Sequence, residues 1–162
     1  MVTLFLFVRS SLCYNIMDCS LIGLKQREIR MERVFRASLE EMDNANIFLE
    51  EMMEQSGLSM KAQMDVSVAF EEMFVNVASY AYIDAPGDVK VKIEIKQGRF
   101  EVTLIDSGIK YNPLEKEDPD ITLSAEERAI GGLGIFMVKK MMDEVNYEYV
   151  DGHNSFTFVK YF

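Results

Sequence analysis

The chain has 162 residues, and 49% of them are apolar, which is enough for the core of one domain. A net charge of −10 and a pI of about 4.6 disfavour contact with a nucleic-acid backbone and suit a basic protein partner. Both cysteines, Cys13 and Cys19, lack the spacing of a disulfide framework or a zinc site, so the expected location is the reducing cytoplasm.

The N-terminal segment differs in character from the rest of the chain. Its apolar run at 4–8 is far shorter than the ~20 residues of a membrane helix, and it lacks the basic flank of a signal peptide. An extra strand, a disordered or partner-binding leader and a mis-assigned start codon all remain open, because Met31 opens a segment typical of a domain start. The sequence predicts an N-terminal extension over 1–30 and one domain over 31–162.

The first elements of this domain are an edge strand and two helices. Residues 32–37 fit the strand, and the Ser-x-x-Glu pattern at 38–41 has the form of a capping box. Apolar residues then recur at helical spacing over 39–56 and over 59–82, and Gly57 separates the two helices.

The second half of the domain is predicted to contribute most of the sheet. Alternating apolar and polar residues predict strands over 89–95 and 100–105, and the acidic stretch 112–130 with its two prolines predicts a mobile lid. One helix and two closing strands complete the pattern, at 133–143, 145–150 and 155–162. The expected fold is an α+β two-layer sandwich, with about three helices on one face of a mixed, mostly antiparallel sheet.

Two polar residues stand out on the second predicted helix. Glu72 and Asn76 are four positions apart and therefore share one helix face. Such a pair is often only the solvated side of a helix. A carboxylate beside an amide oxygen could also supply a general base and a Mg²⁺ ligand.

Two glycine-containing motifs follow in the chain. Asp106-Ser107-Gly108 comes directly after a strand, and it fits either an ordinary turn or a carboxylate that accepts a hydrogen bond from a base such as adenine. Gly131-Gly132-Leu133-Gly134 opens a helix, and it fits either a hinge or a phosphate site at the helix N-terminus. Arg128 lies just upstream and could reach a phosphate or remain a surface charge. The only histidine, His153, is interpreted as a solvated turn residue.

The order of these motifs resembles the N, G1 and G2 boxes of Bergerat-type ATPases, the fold shared by histidine kinases, gyrase and a class of heat-shock chaperones. Within that fold, the segments 68–82, 106–113 and 131–143 are most similar to bacterial anti-sigma regulatory factors that act as serine/threonine protein kinases. The chain departs from that family at Tyr80, where many members have His, and at Asn112, where Asp is usual.

The resemblance also implies which residues use ATP and Mg²⁺. Glu72 would be the catalytic base and Asn76 the Mg²⁺ ligand. The other cofactor-binding residues would hold the adenine and the phosphates, and they are Asp106, Gly108, Arg128, Gly132, Gly134 and Thr157. Among these, Asp106 would bind adenine directly and Thr157 would support it through water.

Three functions follow from the resemblance. The first is a kinase that phosphorylates a small anti-sigma-factor antagonist and sequesters a sigma factor, with a homodimer as a further option. The second is a nucleotide-gated protein-binding module without useful turnover. The third is a histidine-kinase catalytic domain, which is disfavoured because the chain has no dimerisation helix carrying a phosphoacceptor histidine.

Overall fold

The computed structural model describes residues 28–83, 86–115 and 133–162. The predicted N-terminal extension up to residue 27 lies outside these ranges, and so does the predicted lid beyond residue 115. Arg128 and Gly132 therefore also lie outside the described residues. No helix in the described ranges is long and apolar enough to cross a membrane.

Within the described ranges, five strands form one open sheet in the order β1-β2-β3-β5-β4, and every neighbouring pair is antiparallel. Their bounds are β1 Ile29–Arg36, β2 Asp88–Lys96, β3 Arg99–Asp106, β4 Glu144–Val150 and β5 His153–Tyr161. The α+β prediction is confirmed, and the sheet is purely antiparallel in the described residues rather than mixed.

One face of the sheet is apolar because side chains alternate along each strand. On β2, Val89, Val91 and Ile93 are fully buried, whereas Lys90 and Lys92 point to the opposite face. The helices cover the apolar face. The other face carries charged and hydroxyl side chains and faces solvent.

In the part of the chain that the structure describes, three α-helices pack on the apolar face, at α1 Met42–Met53, α2 Met60–Asn76 and α3 Leu133–Met141. A 3₁₀ turn at Leu39–Glu41 precedes α1, and the hydroxyl of Ser38 makes no capping hydrogen bond, so the expected capping box does not form. The cap is instead found on α2, where the Ser59 hydroxyl accepts a hydrogen bond from the Ala62 N–H at 3.3 Å.

The central helix α2 sits in the middle of the core and packs against both α1 and α3. Phe70 and Phe74 are fully buried, and Phe74 meets Phe35 of β1 at a ring-centroid distance of 6.3 Å. This packing fixes the rotation of α2 about its axis. Glu72 and Asn76 are therefore only half-buried, on the flank of the helix beside the core.

The C-terminal end of α2 changes its helical pitch. After Asn76 the chain forms a π-helical turn at Val77–Ala81, and it becomes extended at Tyr82. π-Helical turns occur frequently at functional sites. Here the turn brings the end of α2 against the loop that follows β3.

Candidate functional site

Helices α2 and α3 bring the Glu72 carboxylate against Gly134. A Cβ built at Gly134 would overlap Oε2 of Glu72 and would lie 2.7 Å from its Cδ. Gly134 is the second residue of α3, where backbone N–H groups have no partner within the helix and the helix dipole is positive. The structure thus places a carboxylate directly at a helix end that favours negative charge.

Asn76 lies one turn beyond Glu72 on the same flank of α2. Its side chain is half-buried and makes no hydrogen bond to any described residue. The neighbouring Glu71 points elsewhere, where its Oε1 accepts a hydrogen bond from the Asn46 amide at 3.1 Å. Of the two adjacent carboxylates, Glu72 is therefore the one that faces the N-terminal turn of α3.

Asp106 ends β3 as a buried carboxylate with only 6% exposure. Its Oδ1 accepts two hydrogen bonds, from the Gly108 backbone N–H and from the Asn154 side-chain amide, both at 2.9 Å. Its other oxygen, Oδ2, accepts none from the described residues. One carboxylate oxygen is thus fixed by the protein, and the other keeps its capacity to accept.

Asn154 is a buried partner of Asp106 that the sequence did not single out. It lies directly opposite Asp106 in the β3–β5 register and is equally buried. Its Nδ2 also donates to the Ile109 carbonyl at 3.0 Å, and its Oδ1 accepts from the Tyr147 hydroxyl at 2.7 Å and the Tyr111 N–H at 3.2 Å. Asn154 is two residues before the buried Phe156, and strand residues two apart point to the same face. This spacing was the signal that could have revealed an inward-pointing side chain in a sequence that resembles a turn.

Position 108 requires glycine because the backbone of Ala81 lies too close for a Cβ. A Cβ there would lie 2.7 Å from the carbonyl carbon of Ala81, and the next residue, Ile109, donates its N–H to the Ala81 carbonyl at 2.9 Å. The Tyr82 hydroxyl accepts from the Ser107 N–H at 3.0 Å, and burial raises the pKa of Tyr82. The loop after β3 is thereby docked onto the π-helical turn that follows Asn76.

Thr157 lies on the opposite face of the sheet from Asp106. It stands between the buried Phe156 and Phe158 on β5, so its side chain points away from the helices, where its hydroxyl pairs with that of Thr103 at 2.9 Å. It lines a solvent-side cavity of about 410 Å³. This placement corrects the expected role of Thr157, because the sheet separates its hydroxyl from any base held by Asp106.

A second cavity, of about 710 Å³, lies beside the loop after β3 and the outer strand β4. Its lining residues are polar or aromatic, namely Lys110, Tyr111, Asn112, Glu115, Tyr147 and Tyr149. Burial raises the pKa of the Tyr147 hydroxyl, and the negative charge of Asp106 adds to that effect. His153 is exposed, as the sequence predicts, but it is the first residue of β5, directly after the turn at 151–152, with Nδ1 2.8 Å from the Asp151 carbonyl.

The chain belongs to the histidine kinase-like ATPase domain family, whose model matches residues 35–160. It is 28% identical over 103 residues to the serine-protein kinase RsbW of Listeria monocytogenes, a match that covers 60% of this chain and 66% of that protein. It is 25% identical over 92 residues to the serine-protein kinase RsbW of Bacillus thuringiensis, covering 54% of this chain and 58% of that protein. The chain therefore spans slightly less than two thirds of the length of these curated relatives.

A solved structure supports the fold independently of sequence identity. The crystal structure of the RsbU and RsbW domains of a Mycobacterium tuberculosis protein superposes with a TM-score of 0.59 at 15% identity. The superposition covers 82% of this chain and 32% of that chain. It bears out the three-helix, five-stranded architecture described above.

Proposed function

We propose that the domain over 31–162 binds ATP with Mg²⁺ and acts as an anti-sigma-type serine/threonine protein kinase. In this proposal it phosphorylates a small antagonist protein and binds a sigma factor. Family membership and the relatives named as serine-protein kinases support it. The observation that carries it is the Glu72 carboxylate held against the N-terminal turn of α3.

In the proposed reaction the protein forms no covalent bond to the phosphoryl group and acts by positioning and by stabilising charge. The serine oxygen of the substrate bonds to the γ-phosphorus, the bond from that phosphorus to the β,γ-bridging oxygen breaks, and Glu72 accepts the hydroxyl proton. The N-terminal turn of α3, including Gly134, offers backbone N–H groups to the phosphates. Gly132 and Arg128 enter the proposal through the family resemblance alone, as further phosphate-binding residues.

Asn76 fits the ligand set that Mg²⁺ prefers. Its side chain is half-buried, lies one helical turn from Glu72 and makes no hydrogen bond to the described residues. Mg²⁺ in nucleotide sites usually takes one or two protein oxygens and completes its shell with phosphates and water. Such an ion would neutralise charge on the β- and γ-phosphates.

The base would be recognised at the end of β3. Asp106 Oδ2 is the acceptor not used by the described residues, and the exocyclic amino group of adenine is a donor of matching polarity. Because the loop carrying Gly108 and Ile109 is docked on the turn after Asn76, the base site and the proposed metal site share one rigid framework.

Glu72→Gln tests the proposal, with Glu71→Gln as its matched control. Glu71 is the adjacent residue and its carboxylate points to Asn46 instead. We expect Glu72→Gln to keep ATP affinity in calorimetry and to lose roughly 10²- to 10⁴-fold in the rate of phosphate transfer to a candidate antagonist protein. Glu71→Gln should retain both.

Two outcomes would contradict the proposal, the first in the role given to Glu72 and the second in the kinase activity itself. Equal transfer rates in the wild type and Glu72→Gln would show that Glu72 is not the base. A wild-type protein that binds ATP and the antagonist without transferring phosphate would instead be a nucleotide-gated binding module.

A further inference from the structure

We propose that Asn154 sets the hydrogen-bonding polarity of residue 106, and so determines which purine the site accepts. This inference rests on the proposed nucleotide binding and adds a positioning residue that acts on the base through Asp106. Its basis is the buried network that joins β3, β4, β5 and the loop 107–111 around one amide group.

The orientation of the Asn154 amide is fixed by groups that have only one hydrogen-bonding polarity. The Tyr111 backbone N–H can only donate, and it contacts Oδ1 at 3.2 Å. The Ile109 carbonyl can only accept, and it contacts Nδ2 at 3.0 Å. A flipped amide would face a donor with a donor and an acceptor with an acceptor. Nδ2 must therefore be the group that faces Asp106.

This orientation decides which side of residue 106 is presented to a ligand. Two donors, the Gly108 N–H and the Asn154 Nδ2, converge on Oδ1 of Asp106 at 2.9 Å. Oδ2 is left as an acceptor, which matches the 6-amino group of adenine and opposes the 6-oxo group of hypoxanthine or guanine.

The same geometry determines how the amide of an Asp106→Asn variant is oriented. The two inward donors require the amide oxygen of the new side chain at the Oδ1 position. Its NH₂ group is then presented to the base where an acceptor had been. The substitution should therefore exchange acceptor for donor, and should favour a 6-oxo purine instead of merely weakening binding.

A purely structural role for Asn154 is the competing explanation. Its bonds to Ile109 and Tyr111 also hold the loop after β3 in place. Loss of that support would lower stability and weaken every nucleotide by the same factor. It would leave the ratio between two bases unchanged, so the ratio is the readout that separates the two roles.

The test compares ADP and IDP, which differ in carrying 6-amino and 6-oxo groups, by calorimetry on the full chain. We expect the wild type to prefer ADP, and Asp106→Asn to shift the IDP-to-ADP affinity ratio toward IDP by roughly tenfold to a hundredfold. In the double variant Asp106→Asn with Asn154→Asp, residue 154 becomes an acceptor that faces the new amide at position 106. The Gly108 N–H still favours an oxygen at that position, so the ratio should return part of the way toward ADP, by roughly threefold to tenfold.

Ser155→Ala is the control, since Ser155 is the next residue on β5 and points to the opposite sheet face. It should keep the wild-type ratio. A wild type that binds neither ADP nor IDP would overturn the proposed function and this inference together. A wild type that prefers ADP, with no shift in Asp106→Asn, would overturn this inference alone. An unchanged ratio between the single and double variants would remove Asn154 from the mechanism.

Discussion

The missing side chain at Gly134 matters because the Glu72 carboxylate occupies the space that a Cβ would take. Alanine is the better helix former by about 0.5–1 kcal/mol, and Gly134 lies within α3 at a φ that other residues adopt. Glu72 can yield because its side chain is long and only half-buried. Gly134→Ala should therefore displace the Glu72 carboxylate without lowering the stability of the fold.

We predict that Gly134→Ala keeps or raises the free energy of unfolding and lowers the rate of phosphate transfer. Denaturant titration measures the first quantity and a single-turnover transfer assay the second. The double variant Gly134→Ala with Glu72→Gln is the control, and it should transfer no more slowly than Glu72→Gln alone. Wild-type transfer by Gly134→Ala would mean that the Glu72 position is not critical.

Thr157→Val tests whether the Thr157 hydroxyl contributes to stability alone or also to nucleotide binding. Thr103 is buried, and removal of its hydroxyl partner should cost about 1–3 kcal/mol of unfolding free energy. ADP affinity should stay at the wild-type value, because the hydroxyl lies on the solvent face of the sheet. The double variant Thr103→Val with Thr157→Val should regain most of the lost stability, since neither hydroxyl is then left unpaired. A weaker ADP affinity in calorimetry would restore Thr157 to the site.

At the scale of a strand, β2 carries a nearly buried carboxylate on its charged face. Glu94 is contacted by Lys92 at 2.6 Å, Lys96 at 2.7 Å and Arg30 at 3.1 Å. Burial alone raises the pKa of Glu94, but the hydrogen bonds and charges of Lys92 and Lys96 outweigh it and bring the pKa down to about 2. The ordinary value is 4.5, so the folded state favours the ionised form.

This pKa predicts how the stability contributed by Glu94 depends on pH. A lowered folded pKa stabilises the protein above pH 4.5, and the contribution is lost as the pH falls toward about 2. Glu94→Gln should lower the unfolding free energy by about 2–3 kcal/mol at pH 7, with the difference from wild type vanishing near pH 2. Glu32→Gln is the control, because Glu32 is largely exposed and 3.8 Å from Lys90, and its effect should stay within about 1 kcal/mol. A pH-independent difference for Glu94→Gln would contradict the assignment.

The elements differ in how far their sequence determined them. The alternation in β2 and the helical spacing of α2 reflect local periodicity, and both were predictable. The Asn154 network was not, because it depends on strand register and on a loop docking from about 45 residues away in sequence. The misplacement of Thr157 was avoidable. Adjacent residues of a strand point to opposite faces, so Thr157, between the apolar Phe156 and Phe158, had to point away from the core.

At the scale of the whole molecule, the motifs converge because the loop after β3, the end of α2 and the start of α3 meet on one side of the sandwich. The order of motifs predicted this convergence through the family resemblance. Contacts such as Glu72 with Gly134, and Gly108 with Ala81, needed the packed structure. Neither pair is close in sequence, so no local pattern could have assigned them.

The domain boundary is the remaining whole-molecule prediction, and β1 determines how it should be tested. β1 begins at Ile29, which pairs with Ile95, and Arg30 contacts Glu94. We expect deletion of 1–27 and deletion of 1–30 both to leave a folded protein that binds ADP. The shorter deletion should be the more stable, by about 1–2 kcal/mol or several degrees in Tm, because it keeps Ile29 against the core and Arg30 beside the Glu94 carboxylate. Thermal unfolding and calorimetry measure the two properties, and Arg30→Ala in the shorter deletion isolates the ionic part. Loss of folding in both deletions would place residues before 28 within the core, whereas equal Tm values would show that the first two residues of β1 contribute nothing.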